Sequence, residues 1–319
     1  MDDDATLARV GEFGLIARIT AGRRYPPGVR VGPGDDAAVL DAPDGRVVVT
    51  TDMLVQDRHF RLDWSSPHDI GRKAIAQNAA DIEAMGARCT GFVVAFGAPA
   101  DTPAAAAQDL ADGLWQEAAA AGGAVVGGDL VASPQWVVAV TALGDLGGAA
   151  PVLLDGARPG SVIAVTGALG HSAAGLALRR NGIGGFEDLV AAHRVPAVPY
   201  GQGRVAAAAG AQAMTDVSDG LLADLGHIAE ASGVTLDVDT AALRPEVDTL
   251  NPPARAAGAD PWPLVLAGGE DHALAACFSG APPPGWRVIG TVRDGAAAVL
   301  VDGQPWTGPT GWQSFEEER

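Results

Sequence analysis

The sequence predicts a chain of two halves, each of α/β or α+β architecture. Three observations lead there. Strand-like apolar runs alternate with helical patterns in both halves. A glycine- and proline-rich stretch without periodicity, Gly147 to Gly160, separates them. A length of 319 residues fits two ordinary domains.

In the first half, Phe13, Ile16, Ala17 and Ile19 recur at helical spacing within Gly11 to Thr20. Arg46 to Thr51 is β-rich and follows the turn signal Pro43-Asp44-Gly45. Asp69 caps a long helix running to Met85, which Gly86 ends. Gly91 to Phe96 reads as a strand. An alanine-rich helix covers Pro103 to Ala121, with Thr102 as N-cap and Pro103 where no amide proton is needed. Val125-Val126 is a short strand running into Gly127-Gly128-Asp129, and Trp136 to Leu143 is another. The boundary gives domains 1–148 and 149–319.

In the second half, Val162 to Thr166 is a buried strand and Ser172 to Arg180 a helix. Met214 to Ser218 is extended and Asp219 to Ser232 helical. Val234 to Val238, Ala273 to Phe278 and Trp286 to Ile289 are further strands. Gly201-Gln202-Gly203 follows Pro199-Tyr200 rather than a strand and lacks a third glycine, so it starts a helix and is no dinucleotide fingerprint. Each half pairs a strand and an acidic turn with a following helix, a faint sign of duplication.

Composition narrows the function. Apolar residues make up 48% of the chain, enough for a core and too many for global disorder. The formal charge of -18 repels nucleic acid and anionic membranes. Phosphate substrates would need that field offset, and carboxylate-held divalent cations would do so. Lys73 is the only lysine, a bias most simply ascribed to genome composition. Cys89 and Cys277 stand far apart in no metal-binding pattern, which fits a reducing compartment. The start, Met-Asp-Asp-Asp, is acidic where a signal peptide would be basic, and no apolar run is long enough for a bilayer. These features predict a soluble, cytoplasmic protein.

The chain has no G-x-x-x-x-G-K-[ST] phosphate loop and no protein-kinase signature. What remains is a set of short acidic motifs beside glycines or at strand ends. They are Gly34-Asp35-Asp36-Ala37, Thr50-Thr51-Asp52, Asn78-Ala79-Ala80-Asp81, Gly127-Gly128-Asp129 and Thr215-Asp216-Val217-Ser218-Asp219-Gly220. Singly, each has an ordinary explanation. Gly-Asp pairs make turns, Ser218 or Asp219 caps the following helix, and Asp81 lies on a solvated helix face. Together they share one chemistry, that of oxygen ligands for a hard cation such as Mg2+. His59-Phe60, the turn Gly268-Gly269-Glu270-Asp271, and Trp312 after Gly308-Pro309-Thr310-Gly311 are candidate substrate contacts. A tryptophan there is either a clasp on the core or a platform for a flat cationic ring.

At these residues the chain resembles the thiamine-monophosphate kinase family, of the aminoimidazole ribonucleotide synthetase superfamily. The likeness runs from Gly11-Glu12-Phe13-Gly14-Leu15-Ile16-Ala17-Arg18 to Gly311-Trp312. On the way it takes in the acidic motifs, Lys73-Ala74, Ala84-Met85-Gly86, Val165-Thr166-Gly167, Ser172 to Leu176 and Asp216 to Leu225. The resemblance implies a two-domain aminoimidazole ribonucleotide synthetase-like fold. Its N-terminal α/β domain binds metal and ATP and dimerises through its sheet, and its C-terminal α/β domain completes the active site. ATP would lie across the junction, the partner chain being a second copy.

The resemblance implies that Asp36, Thr50, Thr51, Asp52, Asp81, Asp129, Asp216 and Asp219 hold several Mg2+ ions around ATP, and Asp35 joins them as a candidate from its motif. Gly128, Asp129 and Ser218 would touch ATP, and His59, Glu270 and Trp312 would meet thiamine monophosphate. No residue is needed as general base, because the acceptor phosphate is already ionised. Relatives often carry Arg-Ser-Gly-Ala where this chain has Leu154-Asp155-Gly156-Ala157, so Leu154 replaces an expected nucleotide contact, with Arg158 nearby. His171 and His272 also depart from the common pattern, which has an acid and a tyrosine there. Two alternatives remain open on the sequence: another ATP-dependent member of the superfamily, and a non-catalytic nucleotide-binding relative.

Overall fold

The computed structural model describes residues 6–33 and 37–312; the side chains of Glu12 and Phe13 are outside the description. Candidates Asp35 and Asp36 lie outside the described residues. The chain divides into two compact units, Met1–Ile82 with Ala87–Ala149, and Glu83–Gly86 with Ala150–Arg319.

The first unit contains α1 (Leu7–Val10), α2 (Glu12–Thr20), β1 (Val29–Val31), β2 (Val39–Leu40), β3 (Val48–Val55) and α3 (Pro67–Ala84), whose last two residues, Glu83 and Ala84, belong to the second unit. There follow β4 (Arg88–Ala98), α4 (Ala104–Ala120), β5 (Val125–Ala132) and β6 (Val137–Asp145). Among the described residues the main sheet has the order β3-β6-β4-β5, with β3–β6 and β4–β6 antiparallel and β4–β5 parallel. Period-two alternation sends Phe92, Val94 and Phe96 into the core and leaves Val93 exposed. Phe96 meets Trp136 edge to face, centroids 5.0 Å apart.

α3 starts with a reciprocal cap. Ser66 Oγ accepts the amide of Asp69 at 3.1 Å, and Asp69 Oδ2 accepts the amide of Ser66 at 3.4 Å. The capping residue is therefore Ser66, with Asp69 in the first turn. α4 begins at Ala104, its N-cap position held by Pro103 without a side-chain bond, so Thr102 does not cap it. Gly127-Gly128-Asp129 lies inside β5, which continues to Ala132, and not at a strand end.

The second unit contains β7 (Val162–Thr166), α5 (His171–Arg180), α6 (Glu187–Arg194), α7 (Gln202–Ala208), β8 (Ala211–Asp216) and α8 (Leu221–Ser232). It continues with β9 (Thr235–Val238), α9 (Arg244–Ala256), α10 (Pro261–Ala267), β10 (Leu274–Phe278), β11 (Arg287–Arg293), β12 (Ala298–Val301) and β13 (Gln304–Pro305). The described sheet runs β13-β12-β9-β11-β7-β10-β8, antiparallel except for β9–β12. The mostly antiparallel sheets make each unit α+β within the broader α/β class.

β10 is buried along its whole length because both faces are covered. Ala275 and Cys277 face a core shared with α8, while Leu274, Ala276 and Phe278 face a second core with Met214 and Trp286. The helix expected at Gly201-Gln202-Gly203 is α7. Its first amides, from Gly201 and Gly203, donate to the buried Glu83 carboxylate at 2.8 and 2.9 Å.

Candidate active site

In the first unit, Thr50 and Asp52 lie two residues apart on β3, and Asn78 and Asp81 three apart on α3. Those spacings put each pair on one face of its element. Thr50 Oγ1 donates to Asp81 Oδ2 at 2.7 Å. The amide of Asp52 donates to Asn78 Oδ1 at 2.9 Å, and Asn78 Nδ2 donates to Ala74 O at 2.9 Å, which fixes the buried amide group. Asp81 is thus engaged by β3, not merely solvated. Thr51 has the opposite parity, its hydroxyl donating to Val140 O at 2.9 Å.

Gly128 and Asp129 do not join this cluster within the sheet. β6 and β4 separate β5 from β3, roughly 14 Å at the usual strand spacing. Asp129 is exposed, and its Oδ1 accepts the amide of Leu130 at 2.9 Å.

His59 sits in a tight loop after β3. The amide of Val55 donates to its Nδ1 at 3.0 Å, so the neutral ring carries its proton on Nε2. Lys73, from α3 and only 2% exposed, donates through Nζ to His59 O at 2.9 Å. The lone lysine of the chain thus braces the loop that presents His59.

In the second unit, Asp216, Ser218, Asp219, Glu270 and Trp312 come together. Gly269 passes so close to the β8–α8 turn that a Cβ there would lie 2.6 Å from Ser218 O. Glu270, in the left-handed region at φ 63°, donates its amide to Ser218 O at 2.7 Å. The amide of Trp312 donates to Asp219 O at 2.9 Å, and the Trp312 side chain is about half exposed. Neither Ser218 nor Asp219 caps α8. Gly220 holds the cap position, and Asp224 Oδ2 accepts the amides of Asp219 at 3.1 Å and Gly220 at 3.0 Å.

Sequence reasoning missed several contributors. Asp224 was visible only as an acid in the first turn of α8. Asp271 is the buried half of the Glu270-Asp271 pair, and it caps α5 by accepting the amides of Gly170 at 2.5 Å and Ser172 at 2.9 Å. His193, on α6, places Nδ1 3.1 Å from Ser172 Oγ and 3.4 Å from Glu270 Oε2. No motif pointed to it.

Two family models match in tandem: the AIR synthase related protein N-terminal domain over residues 34–146, and its C-terminal domain over 158–302. A thiamine-monophosphate kinase of Mycobacterium tuberculosis is 65% identical over 99% of this chain and 95% of its own length. The chain belongs to the thiamine-monophosphate kinase family. Among solved structures, the thiamine-monophosphate kinase of Stenotrophomonas maltophilia is 31% identical with a TM-score of 0.78, covering 91% of this chain and 95% of that one. AaThiL complexed with AMPPCP and TMP is 29% identical with a TM-score of 0.77, covering 98% of this chain and 99% of that one.

In this thiamine-monophosphate kinase family member, the second-unit donors suit a hard cation. Burial, with a further contribution from Asp216, raises the proton affinity of Asp219. Burial, then Asp216 and Asp219, push Asp224 up to about 8 against the two amides that favour its charge. Ligand atoms of Asp219, Asp224 and His227 lie within 4.8 Å of one another. Crowded carboxylates that raise one another's proton affinity are relieved by a divalent cation.

Asp271 gives this family member a pH signature. Burial pushes its carboxyl up to about 7, although the amides at the start of α5 and His272 oppose the rise. Between pH about 4 and 7 the folded protein keeps a proton that the unfolded chain has lost. Stability from this group therefore falls as pH rises through that window and levels off above it. The Asp271→Asn variant should lack that slope in metal-free thermal melts. Its NH2 faces an amide donor, so the whole curve is displaced downward, and parallel wild-type and variant curves would refute the assignment.

Proposed function

We propose that this chain transfers the γ-phosphate of ATP directly onto the phosphate of thiamine monophosphate, giving ADP and thiamine diphosphate. The observation that supports this most directly is the assembly of Asp216, Ser218, Asp219, Glu270 and Trp312 around one turn, in a chain 65% identical to a thiamine-monophosphate kinase. An acceptor phosphate oxygen attacks the γ-phosphorus in line, and the bond to the β-phosphate oxygen breaks. The attacking oxygen is already ionised at neutral pH, so no side chain need remove a proton. The chain's task is positioning and charge neutralisation.

Thr50, Thr51, Asp52, Asp81, Asp129, Asp216 and Asp219, with Asp35 and Asp36, are the residues we assign to Mg2+. Ions held there would supply the positive charge that offsets the phosphates during transfer. Gly128, Asp129 and Ser218 are assigned to ATP. His59 presents its Nε2 proton to an anionic or hydroxyl group of the substrate, Glu270 supplies a carboxylate for the cationic thiazolium, and Trp312 offers an aromatic face. Residues 1–148 would bind metal and ATP and dimerise, and 149–319 would complete the site.

The outer face of the first unit's sheet supports a homodimer: Val49 is 63% exposed, Met53 52%, Val93 38% and Val131 53%. No helix among the described residues is long and apolar enough to cross a membrane, and a cytoplasmic location accords with the buried thiols of Cys89 and Cys277, neither of them in a disulfide. Incubation with ATP, Mg2+ and thiamine monophosphate should yield thiamine diphosphate and ADP in equal amounts. ADP release without thiamine diphosphate would overturn the proposal.

A further inference from the structure

Asp216 closes β8 with its side chain buried, and its Oδ2 lies 2.9 Å from Nδ1 of His272. His272 is buried as well. A carboxylate only accepts, so with Asp216 ionised the shared proton sits on Nδ1 and the imidazole is the donor. The backbone fixes where the ring can be. His272 adopts φ 51°, in the left-handed region that a side chain with a Cβ disfavours. Its amide donates to Val217 O at 2.8 Å, and the amide of Val217 donates to Ala273 O at 2.8 Å. These two bonds prolong the β8–β10 ladder, in which Asp216 pairs with Leu274. The carboxylate and the imidazole are therefore held by one continuous stretch of backbone pairing.

We infer that His272 is a positioning residue: it commits Oδ2 of Asp216 to the imidazole, so that the carboxylate meets a divalent cation through Oδ1 alone. An imidazole donating to a metal-binding carboxylate fixes its rotamer and limits it to one-oxygen ligation. Without the donor, Asp216 could rotate or bind through both oxygens. Among the described residues the nearby Asp219 makes no side-chain hydrogen bond and is held instead through its backbone, by Asp224 and Trp312. The turn thus combines one carboxylate fixed by its side chain with one fixed by its main chain. The inference rests on the proposal that Asp216 belongs to the cation site.

The test measures Mn2+ binding to the full chain by the electron paramagnetic resonance of free Mn2+, with melts of metal-free protein alongside. In His272→Phe, which keeps an aromatic ring without the donor, Mn2+ should bind about 10- to 100-fold more weakly. His272→Asn, whose amide can donate from near the Nδ1 position, should recover most of that affinity. A folded His272→Phe with unchanged Mn2+ affinity overturns the inference, as does an equal loss in both variants. Should His272→Phe fail to fold, His272→Asn decides alone, because a loss of about tenfold or more in it contradicts the donor role. Asp216→Asn separates the two layers of the argument. Intact Mn2+ binding there removes Asp216 from the cation site, whereas a loss there without one in His272→Phe removes only the role of His272.

Discussion

Asp219→Asn should reduce thiamine diphosphate formation by roughly 10³-fold while leaving the protein folded. The turn that presents Asp219 does not depend on its charge. It is held through main-chain groups: the amides of Asp219 and Gly220 on Asp224, the amide of Glu270 on Ser218 O, and the amide of Trp312 on Asp219 O. Asparagine is nearly isosteric and leaves all of these in place. Burial and the charge of Asp216 already make ionised Asp219 unfavourable, so removing the charge should raise the melting temperature of the metal-free protein. Activity lost with stability kept or gained marks a residue retained for function.

Asp52→Asn should behave the same way in activity. Its amide is held by Asn78 and its side chain is exposed, so the fold gains little from the carboxylate. Near-normal turnover in either folded variant would contradict the cation assignment.

The acidic turn of the second unit was more legible in sequence than the structure that supports it. Thr215 to Gly220 announces itself because acids and glycine at a strand end serve the core poorly. Asp271 looks like an ordinary turn residue beside Glu270, and only burial against the start of α5 reveals its task. His193 and His272 gave no local signal, because their partners lie 21 and 56 residues away. Gly128 and Asp129 share the chemistry of Thr50 and Asp52, but strand order, which residue spacing does not encode, puts them at the other edge of the sheet.

Fold elements failed in sequence for equally local reasons. α9 holds Pro252 and Pro253 inside the helix, which reads as a break. Tertiary packing overrides it by burying Val247, Leu250, Pro253 and Ala254. The β12–β13 hairpin turns at Asp302-Gly303, both at positive φ as a tight two-residue turn requires, and that Asp-Gly pair is its one sequence signal.

Gly113→Ala and Gly71→Ala should each destabilise the protein by about 3 kcal/mol or more. These glycines mark the crossing of α3 and α4. A Cβ on Gly113 would lie 2.0 Å from His68 O, and one on Gly71 would lie 2.1 Å from Leu110 O. Both obstacles are helix backbone, so the helices must separate rather than a side chain swing away. Helix propensity favours alanine, but by only about 1 kcal/mol, too little to offset the clash. Gly226, inside α8 with nothing near its missing Cβ, provides the contrast: Gly226→Ala should stabilise by roughly 0.5–1 kcal/mol.

Displacing α3 also moves Asn78 and Asp81 away from Asp52 and Thr50, so turnover should fall in both crossing variants even below their melting temperatures. The double variant distinguishes a shared crossing from two separate clashes. Once α3 and α4 have parted to admit one methyl group, the second finds the space already open, and the combined loss should be well short of additive. Denaturant unfolding of the single and double variants measures this directly, and strict additivity would show that the two glycines do not mark one contact.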